Sequence, residues 1–347
     1  MSCPIGYRLG AHALRQAPVI RATATVYAAG GLYGNMHALQ AIEERAAAEP
    51  RDANGNGPTI VFNGDFNFFN TAVEWWKELN GRVREHHFAT AGNVEVESAA
   101  VEDSGGCGCG YPVHVSPGVV ERSDRIVSAL RATATAADTP SLVDWLRDLP
   151  RAAIAEVGVD RRRVGIVHGD VDSLAGWQLG VEAMEPADIS LRTSLGCDLQ
   201  HGAAHLPTTP HSTIAGWCND ADVAGLLCTH TCLPFGQLLA TGGRERLAVF
   251  NNGSAGMPNF AGTRFGLLTR VSSNPSPPAD SLYGGYAGGL RWDALPVRYN
   301  HDAWLRQFES EWPSGSDAHT SYYARLTDGP CGFATSQAAR DGVALRT

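Results

Sequence analysis

Four polar residues in this sequence each follow a short apolar run, and their side chains are of types that bind metal ions. Asp65 follows TIVFNG, Asn93 follows HHFATAG, His168 follows VGIV and His230 follows GLLCT. Sites in α/β proteins lie at the carboxyl ends of such strands. Carboxylate, amide and imidazole groups are ligands suited to Zn²⁺, Mn²⁺ or iron. The spacing therefore predicts a metal centre built from these four side chains.

The elements that must position these residues can be read from hydrophobic periodicity. The predicted strands cover 19–30, 59–64, 86–92, 164–169, 225–230, 246–253 and 264–273. The predicted helices cover 35–48, 71–80, 119–132, 141–156, 173–185 and 301–312. Alternation of strands and helices predicts an α/β fold with a largely parallel central sheet. The later, strand-rich part predicts a second sheet packed on the first.

Two segments do not follow this alternation. Residues 96–118 form a Gly/Ser-rich insertion with the C-G-C pair Cys107 and Cys109, which we expect to be a flexible loop because it lacks the usual C-x-x-C zinc spacing. Residues 274–290 form a Pro/Gly-rich loop. We place one domain at 1–275 and a C-terminal extension at 276–347 that packs on the same domain.

The order of the short motifs resembles the calcineurin-like metallophosphoesterases. The motifs NGDFNFF, AGNVE, VHGD, THTCLP and NNGSAGMP occur in the order that this superfamily keeps. The resemblance implies a two-sheet sandwich flanked by helices. It also implies that Asp65, Asn93, His168 and His230 hold one ion, and that a hydroxide on this ion attacks a phosphoester. Asp65 and His168 are thereby candidate catalytic residues as well as ligands.

The second metal position of the superfamily is altered in this sequence. Its usual ligand positions fall on Gly31, Tyr33 and Cys232, and the histidine of its G-N-H motif falls on Val94. The second site is therefore lost or rebuilt around Cys232, whose thiolate would be a good zinc ligand. We expect one divalent transition metal (Zn, Mn or Fe), and the second ion stays open.

The remaining candidates would act on the substrate. Tyr33 and Cys232 are candidate catalytic groups that assist the leaving oxygen, although packing alone would also explain Cys232. Asn35, at a helix N-terminus, Asn93, Ser254 and Arg125 are candidate substrate contacts.

Composition limits the classes of partner. The net charge is −9 with no basic run, so we expect no nucleic-acid surface. The sequence has no apolar stretch of about 18 residues and no signal-peptide pattern, which predicts a cytoplasmic protein without a membrane partner. A small phosphorylated molecule is the expected partner, and a homo-oligomer stays open.

Three functions are compatible with these residues. The first is a metal-dependent hydrolase of a small phosphomonoester or phosphodiester. The second is a divergent metalloenzyme on the same fold that acts on a bond other than a phosphoester. The third is a non-catalytic descendant that binds a metal or a metabolite.

Overall fold

Two mixed β-sheets lie at the centre of the computed structural model, which describes residues 5–52, 54–100, 106–112, 115–186, 208–240 and 245–346. The strands are β1 (Val19–Ala22), β2 (Thr25–Ala29), β3 (Thr59–Asn63), β4 (Phe88–Thr90), β5 (Ala152–Val157), β6 (Arg162–Val167), β7 (Gly225–Cys228), β8 (Phe235–Ala240), β9 (Arg246–Asn251), β10 (Gly266–Ser272), β11 (Tyr283–Ala287), β12 (Leu290–Val297) and β13 (Ala344–Leu345). The described strands form one sheet in the order β1-β5-β6-β7-β9-β8 and another in the order β13-β11-β12-β10-β2-β3-β4.

Helices cover the outer faces of this pair of sheets. The helices are α1 (Ala11–Arg15), α2 (Met36–Ala48), α3 (Val73–His86), α4 (Asn93–Ser98), α5 (Pro117–Ala136), α6 (Pro140–Asp148), α7 (His211–Ala221), α8 (His301–Glu311), α9 (Asp317–Asp328) and α10 (Thr335–Ala338). The predicted two-sheet α/β sandwich flanked by helices is thus confirmed. Within the described ranges, no helix is both long and apolar enough to cross a membrane.

The main core fills the space between the two sheets. Val26, Val61 and Leu267 reach it from one sheet, and Ile154 and Ile166 reach it from the other. Each of these side chains is fully buried, and burial of such a side chain stabilises the fold by roughly 1.5–3 kcal/mol. This packing fixes the strand ends of the two sheets relative to each other.

The sequence suggested that the early strands form one sheet and the late strands a second one, and this is wrong, because each sheet combines early and late strands. Strands β2 and β3 pair in parallel with each other, and β2 pairs with the much later β10. The predicted strand 19–30 is in fact two strands in different sheets, since β1 pairs with β5 and β2 with β3 and β10. A continuous apolar run carries no signal for the point at which the chain changes sheets.

Two predicted helices are wrong over part or all of their length. The helix expected over 141–156 ends at Asp148 as α6, and β5 begins at Ala152. Pro150 lies between them, and a proline removes a main-chain donor and clashes with the preceding helical turn. The predicted strand 86–92 is also shorter, because α3 continues to His86 and only Phe88–Thr90 is extended.

The other helix, expected over 173–185, is a series of turns. The buried carboxylate of Asp170 accepts main-chain N–H bonds from Asp172 and Ser173 at 2.9 Å each and from Gln178 at 3.1 Å. These bonds compete with helical ones and fold the segment back toward β6. The turns bring Trp177 to the carboxyl ends of the strands.

Residues after 275 contribute to both the sheet and the helical layer. The stretch 274–290, which the sequence presented as a loop, contains β11, and β12 pairs with β10 along its length. Helix α9, which periodicity did not reveal, packs against α5.

Candidate metal centre and its cavity

The four predicted ligands come together where strands from both sheets end. Asp65 follows β3 by two residues, and Asn93 begins α4 just after β4. His168 directly follows β6, and His230 follows β7 by two residues. Each sheet therefore supplies two of the four side chains.

The donor atoms of these side chains converge on His168. Its Nε2 lies 3.3 Å from Asp65 Oδ1, 3.2 Å from Asn93 Oδ1 and 3.1 Å from His230 Nδ1. The ligand atoms of Asp65, His168 and His230 all lie within 4.8 Å of one another, and the three residues are buried.

Main-chain carbonyls orient both imidazole rings. His168 Nδ1 donates to the Asn63 carbonyl at 2.8 Å, and His230 Nε2 donates to the Cys109 carbonyl at 2.9 Å. A carbonyl only accepts, so the outer nitrogen of each ring carries a proton and the inner nitrogen faces the centre. Metal-binding histidines are held in this way in proteins.

The amide of Asn93 is oriented by the C-G-C pair. Its Nδ2 donates to the Cys107 carbonyl at 2.9 Å and lies 3.3 Å from Cys109 Sγ, which turns Oδ1 toward His168. Cys107 and Cys109 were expected in a flexible loop, but both are buried and they cover the centre. Two nitrogens and two oxygens thus face one point, a donor set that fits a divalent transition metal.

The protonation of the centre follows from its charges. Burial alone would raise the pKa of Asp65 and lower that of His168, but their mutual attraction outweighs it, so the pKa of Asp65 is lowered and that of His168 is raised. Burial and the neighbouring His168 lower the pKa of His230 to about 4. In the metal-free centre, the pairing of Asp65 with His168 therefore favours the carboxylate and the imidazolium, whereas His230 is neutral near pH 7.

Glu95 holds the main chain of Asp65 in an unusual conformation. Asp65 has a φ of +55°, in the left-handed region. The Glu95 carboxylate accepts N–H bonds from Asp65 at 2.7 Å, Gly92 at 3.0 Å and Phe66 at 3.1 Å. Burial, followed by the charge of Asp65, raises the pKa of Glu95 to about 7. Glu95 is a positioning residue that was not predicted from the sequence, although it is the last residue of the AGNVE motif.

The positions that the resemblance assigns to a second ion hold a tyrosine–cysteine pair. Tyr33 Oη lies 2.6 Å from Cys232 Sγ, and burial raises the pKa of both groups, so both keep their protons at neutral pH. The Tyr33 ring packs against Phe68 and Phe69, with centroid distances of 5.7 and 5.4 Å. The Cys232 sulfur does not join the ligand group of the metal centre.

Three predicted substrate contacts have other partners. Asn35 caps α2 and donates to the Gly256 carbonyl at 3.0 Å. The Ser254 hydroxyl donates to a main-chain carbonyl at 2.9 Å. Arg125 pairs with Asp317 at 2.7 Å on the surface. None of these three lines the cavity at the metal centre, so the structure gives them roles in holding loops and helices together.

A cavity of about 140 Å³ opens beside the metal centre. Its walls combine three of the ligands with the tyrosine–cysteine pair, several aromatic side chains and one arginine. They are Tyr33, Asp65, Phe68, Asn93, Val94, Cys109, Tyr111, Trp177, His230, Thr231, Cys232, Tyr322 and Arg325.

Several of the lining residues were not predicted from the sequence, among them Trp177, Tyr322 and Arg325. Trp177 lies in the segment that was expected to be helical, and its indole N–H donates to the Cys109 carbonyl at 3.0 Å. Tyr322 and Arg325 lie on α9. Ser316 before this helix and Gly329 after it are boundary signals that would have revealed it, but nothing local indicates that its side chains reach the metal centre.

The sequence matches no protein-family model and no curated protein. The chain is similar in structure to a metallophosphoesterase from Sphaerobacter thermophilus, at 15% identity and a TM-score of 0.49, over 89% of this chain and 99% of the other. It is similar to a protein serine/threonine phosphatase from Saccharomyces cerevisiae, at 14% identity and a TM-score of 0.38, over 83% and 90% of the two chains.

A predicted phosphoesterase from Streptococcus pneumoniae is also similar, at 14% identity and a TM-score of 0.33, over 80% of this chain and 91% of the other. Identities and TM-scores this low leave the activity of this chain to be judged from its own site.

Proposed function

We propose that this protein is a metal-dependent phosphoester hydrolase that uses a single divalent ion, Zn, Mn or Fe, held by Asp65, Asn93, His168 and His230. The observation that carries the proposal is the orientation of the two imidazole rings. Both outer N–H groups are bonded to carbonyls, so both inner nitrogens face the same point as two side-chain oxygens. A divalent ion at such a site polarises a phosphoryl oxygen and makes a bound water molecule more acidic.

The chain itself supplies a source of protons for the leaving oxygen. Hydrolysis breaks the bond between phosphorus and this oxygen, which then needs a proton. Val94 stands where the superfamily carries its histidine, so that group cannot provide it. Tyr33 and Cys232 line the cavity, hold their protons and are bonded to each other, and we assign them this task.

The size and walls of the cavity support a small substrate. A volume of about 140 Å³ holds a phosphoryl group and little more, and the ring of Phe68, which packs on Tyr33, gives the cavity an apolar wall. An apolar wall keeps water away from the reacting group, which strengthens the electrostatic interactions of the site. A phosphomonoester or a phosphodiester with an extended second group both fit this arrangement.

A second candidate function is a binding protein for a metal and a phosphorylated metabolite. It is favoured by Val94 and by the Tyr33–Cys232 bond, since both replace groups with which the superfamily carries out catalysis. The two functions share the metal centre and differ only in turnover.

Metal stoichiometry together with turnover tests the proposal. We expect one Zn, Mn or Fe per chain, and hydrolysis within a panel of small phosphomonoesters and phosphodiesters that Asp65→Asn abolishes. We expect Cys232→Ala to keep one ion per chain, because its sulfur stands outside the ligand group, and to slow hydrolysis. One bound ion without turnover on any panel member would favour the binding protein, and no bound ion would refute both.

A further inference from the structure

Arg325 brings a positive charge from the C-terminal part of the chain to the metal centre. It lies on α9, and its Nη2 donates to the Cys232 carbonyl at 2.7 Å. Its Nε donates to the Pro258 carbonyl at 3.4 Å. These acceptors carry no formal charge, and in the described part of the chain Arg325 takes part in none of the ion pairs found. In this part of the chain, no carboxylate therefore pairs with the guanidinium, which has N–H donors to spare beside the cavity.

The position of this charge matches the altered half of the site. Cys232 stands where the resemblance places a ligand of a second ion, and the charge of Arg325 acts on its thiol, opposing the effect of burial on the pKa. Arg325 also lines the same cavity as Asp65. A planar guanidinium binds two oxygens of a phosphoryl group at once, which suits it to an anion next to a metal.

A second cavity, of about 400 Å³, lies against the first. We call the cavity at the metal centre the inner cavity and this one the outer cavity. The residues that line both are Tyr111, Trp177, Thr231, Tyr322 and Arg325. Arg325 and three aromatic side chains thus stand where the two cavities meet.

The shared aromatic side chains offer flat surfaces at this boundary. The rings of Tyr111 and Trp177 are 5.8 Å apart, and Trp177 also packs edge-on against His230 at 5.4 Å. Burial raises the pKa values of Tyr111 and Tyr322, so both phenols stay neutral and repel no anion. Flat aromatic walls favour a planar ring of the ligand, which can stack on them or meet them edge to face.

We infer that the ligand is a phosphate ester of a planar aromatic group, and that Arg325 binds its phosphoryl oxygens while Tyr111, Trp177 and Tyr322 contact its ring. This inference rests on the proposed function and adds the class of substrate to it. The inner cavity takes the phosphoryl group between Arg325 and the metal ligands. The outer cavity, whose volume is that of an ordinary ligand site, takes the ring.

The test uses two ligands that cannot be hydrolysed. Phenylphosphonate and cyclohexylphosphonate have rings of similar size, but only the first is planar, and the carbon–phosphorus bond of both resists hydrolysis. Binding of each is measured by titration calorimetry to the metal-free protein and to the zinc-loaded protein. We expect phenylphosphonate to bind at least fivefold more tightly than cyclohexylphosphonate in both forms.

Substitutions separate the roles of the charge and the rings. Arg325→Gln keeps an N–H donor for the Cys232 carbonyl but removes the charge, and we expect it to weaken both phosphonates at least tenfold. Arg325→Lys should restore part of that loss. Trp177→Leu should remove the preference for the phenyl ring. Arg163→Gln is the matched control, since Arg163 also donates to two main-chain carbonyls but lines neither cavity, and it should change binding less than threefold.

The outcomes also separate this inference from the proposed function. Unchanged phosphonate binding in Arg325→Gln, with a thermal unfolding midpoint like that of the parent, would overturn the inference, as would equal affinity for the two phosphonates. In that case, if Asp65→Asn loses both metal binding and turnover, the hydrolase would still be supported. Binding that depends on Arg325 and prefers the phenyl ring, in a protein without turnover, would support the inference and refute the hydrolase.

Discussion

Metal binding to this centre should release one proton, and the proton should come from His168. Its Nε2 faces Asp65 across 3.3 Å in the metal-free protein, and its pKa is raised above the ordinary histidine value. An ion can use that nitrogen only after the proton has left. His230, with a pKa of about 4, and Asp65, with a lowered pKa, contribute no proton near neutral pH, and the fraction of a proton that Glu95 releases, with its pKa of about 7, is common to the parent and to a His168 variant.

One proton per ion sets the magnitude of the pH dependence. Below the pKa of His168, the apparent Kd for the metal should rise tenfold for each unit by which the pH falls, which corresponds to about 1.4 kcal/mol of binding free energy. Above that pKa the affinity should level off. The metal-free protein behaves in the opposite way. The raised pKa contributes stability that is fully present below the unfolded value of about 6.5 and is lost as the pH rises through the folded value.

Titration calorimetry with Zn²⁺ between pH 5.5 and 7, in buffers of different ionisation enthalpy, counts the protons released. His168→Gln is the control, because the glutamine oxygen can bind the ion but carries no titrating proton. We expect its proton count to be lower than that of the parent by one. If the parent and His168→Gln release the same number of protons per ion, the assignment of the proton to this ring is refuted.

Two further predictions concern groups around the centre. Asp170→Ala removes the acceptor of three main-chain N–H groups and should lower the free energy of unfolding by about 3 kcal/mol in urea denaturation, whereas Asp172→Ala at the exposed neighbour should change it by less than about 0.5 kcal/mol. Gly92→Ala would place a Cβ 2.3 Å from Asp65 Oδ1 and should abolish metal binding in an equilibrium dialysis assay, while Gly81→Ala, with no atom within 4 Å of the new Cβ, should leave it intact. Bound metal in Gly92→Ala at the parent level would contradict the described packing.

The clustering of the four candidate ligands could be predicted from sequence because the signal for each is local. Asp65, Asn93, His168 and His230 all follow a strand by at most three residues, and strand ends gather at one edge of a sheet whatever the connections are. Only the order of the motifs was needed to associate them. The assignment of each strand to its sheet was not needed for this prediction. The incorrect prediction of a single strand over 19–30 therefore did not affect it.

The second layer of the site could not be predicted in the same way. The bond that orients His230 comes from Cys109, 121 residues away, and Arg325 reaches Cys232 across 93 residues. Such contacts are set by how helices and insertions pack, and hydrophobic periodicity does not encode them. Trp177 was misplaced for a related reason, because the Asp170 carboxylate outcompetes the helical pattern of the residues around it.

The supply of two ligands by each sheet has a mechanical consequence. The core between the sheets is apolar and non-directional, whereas coordination is short-ranged and breaks when its donors move apart by an ångström or two. An ion at the centre would therefore cross-link the two sheets at this edge of the sandwich, and the sheets could not move apart there until the ion dissociated. By mass action the ion would raise the free energy of unfolding by about 2.7 kcal/mol when the free metal concentration is 100 times its Kd. A chelator would then shorten the lifetime of the folded chain as well as stop the proposed hydrolysis, and the first region to open would be the edge where β3, β4, β6 and β7 end.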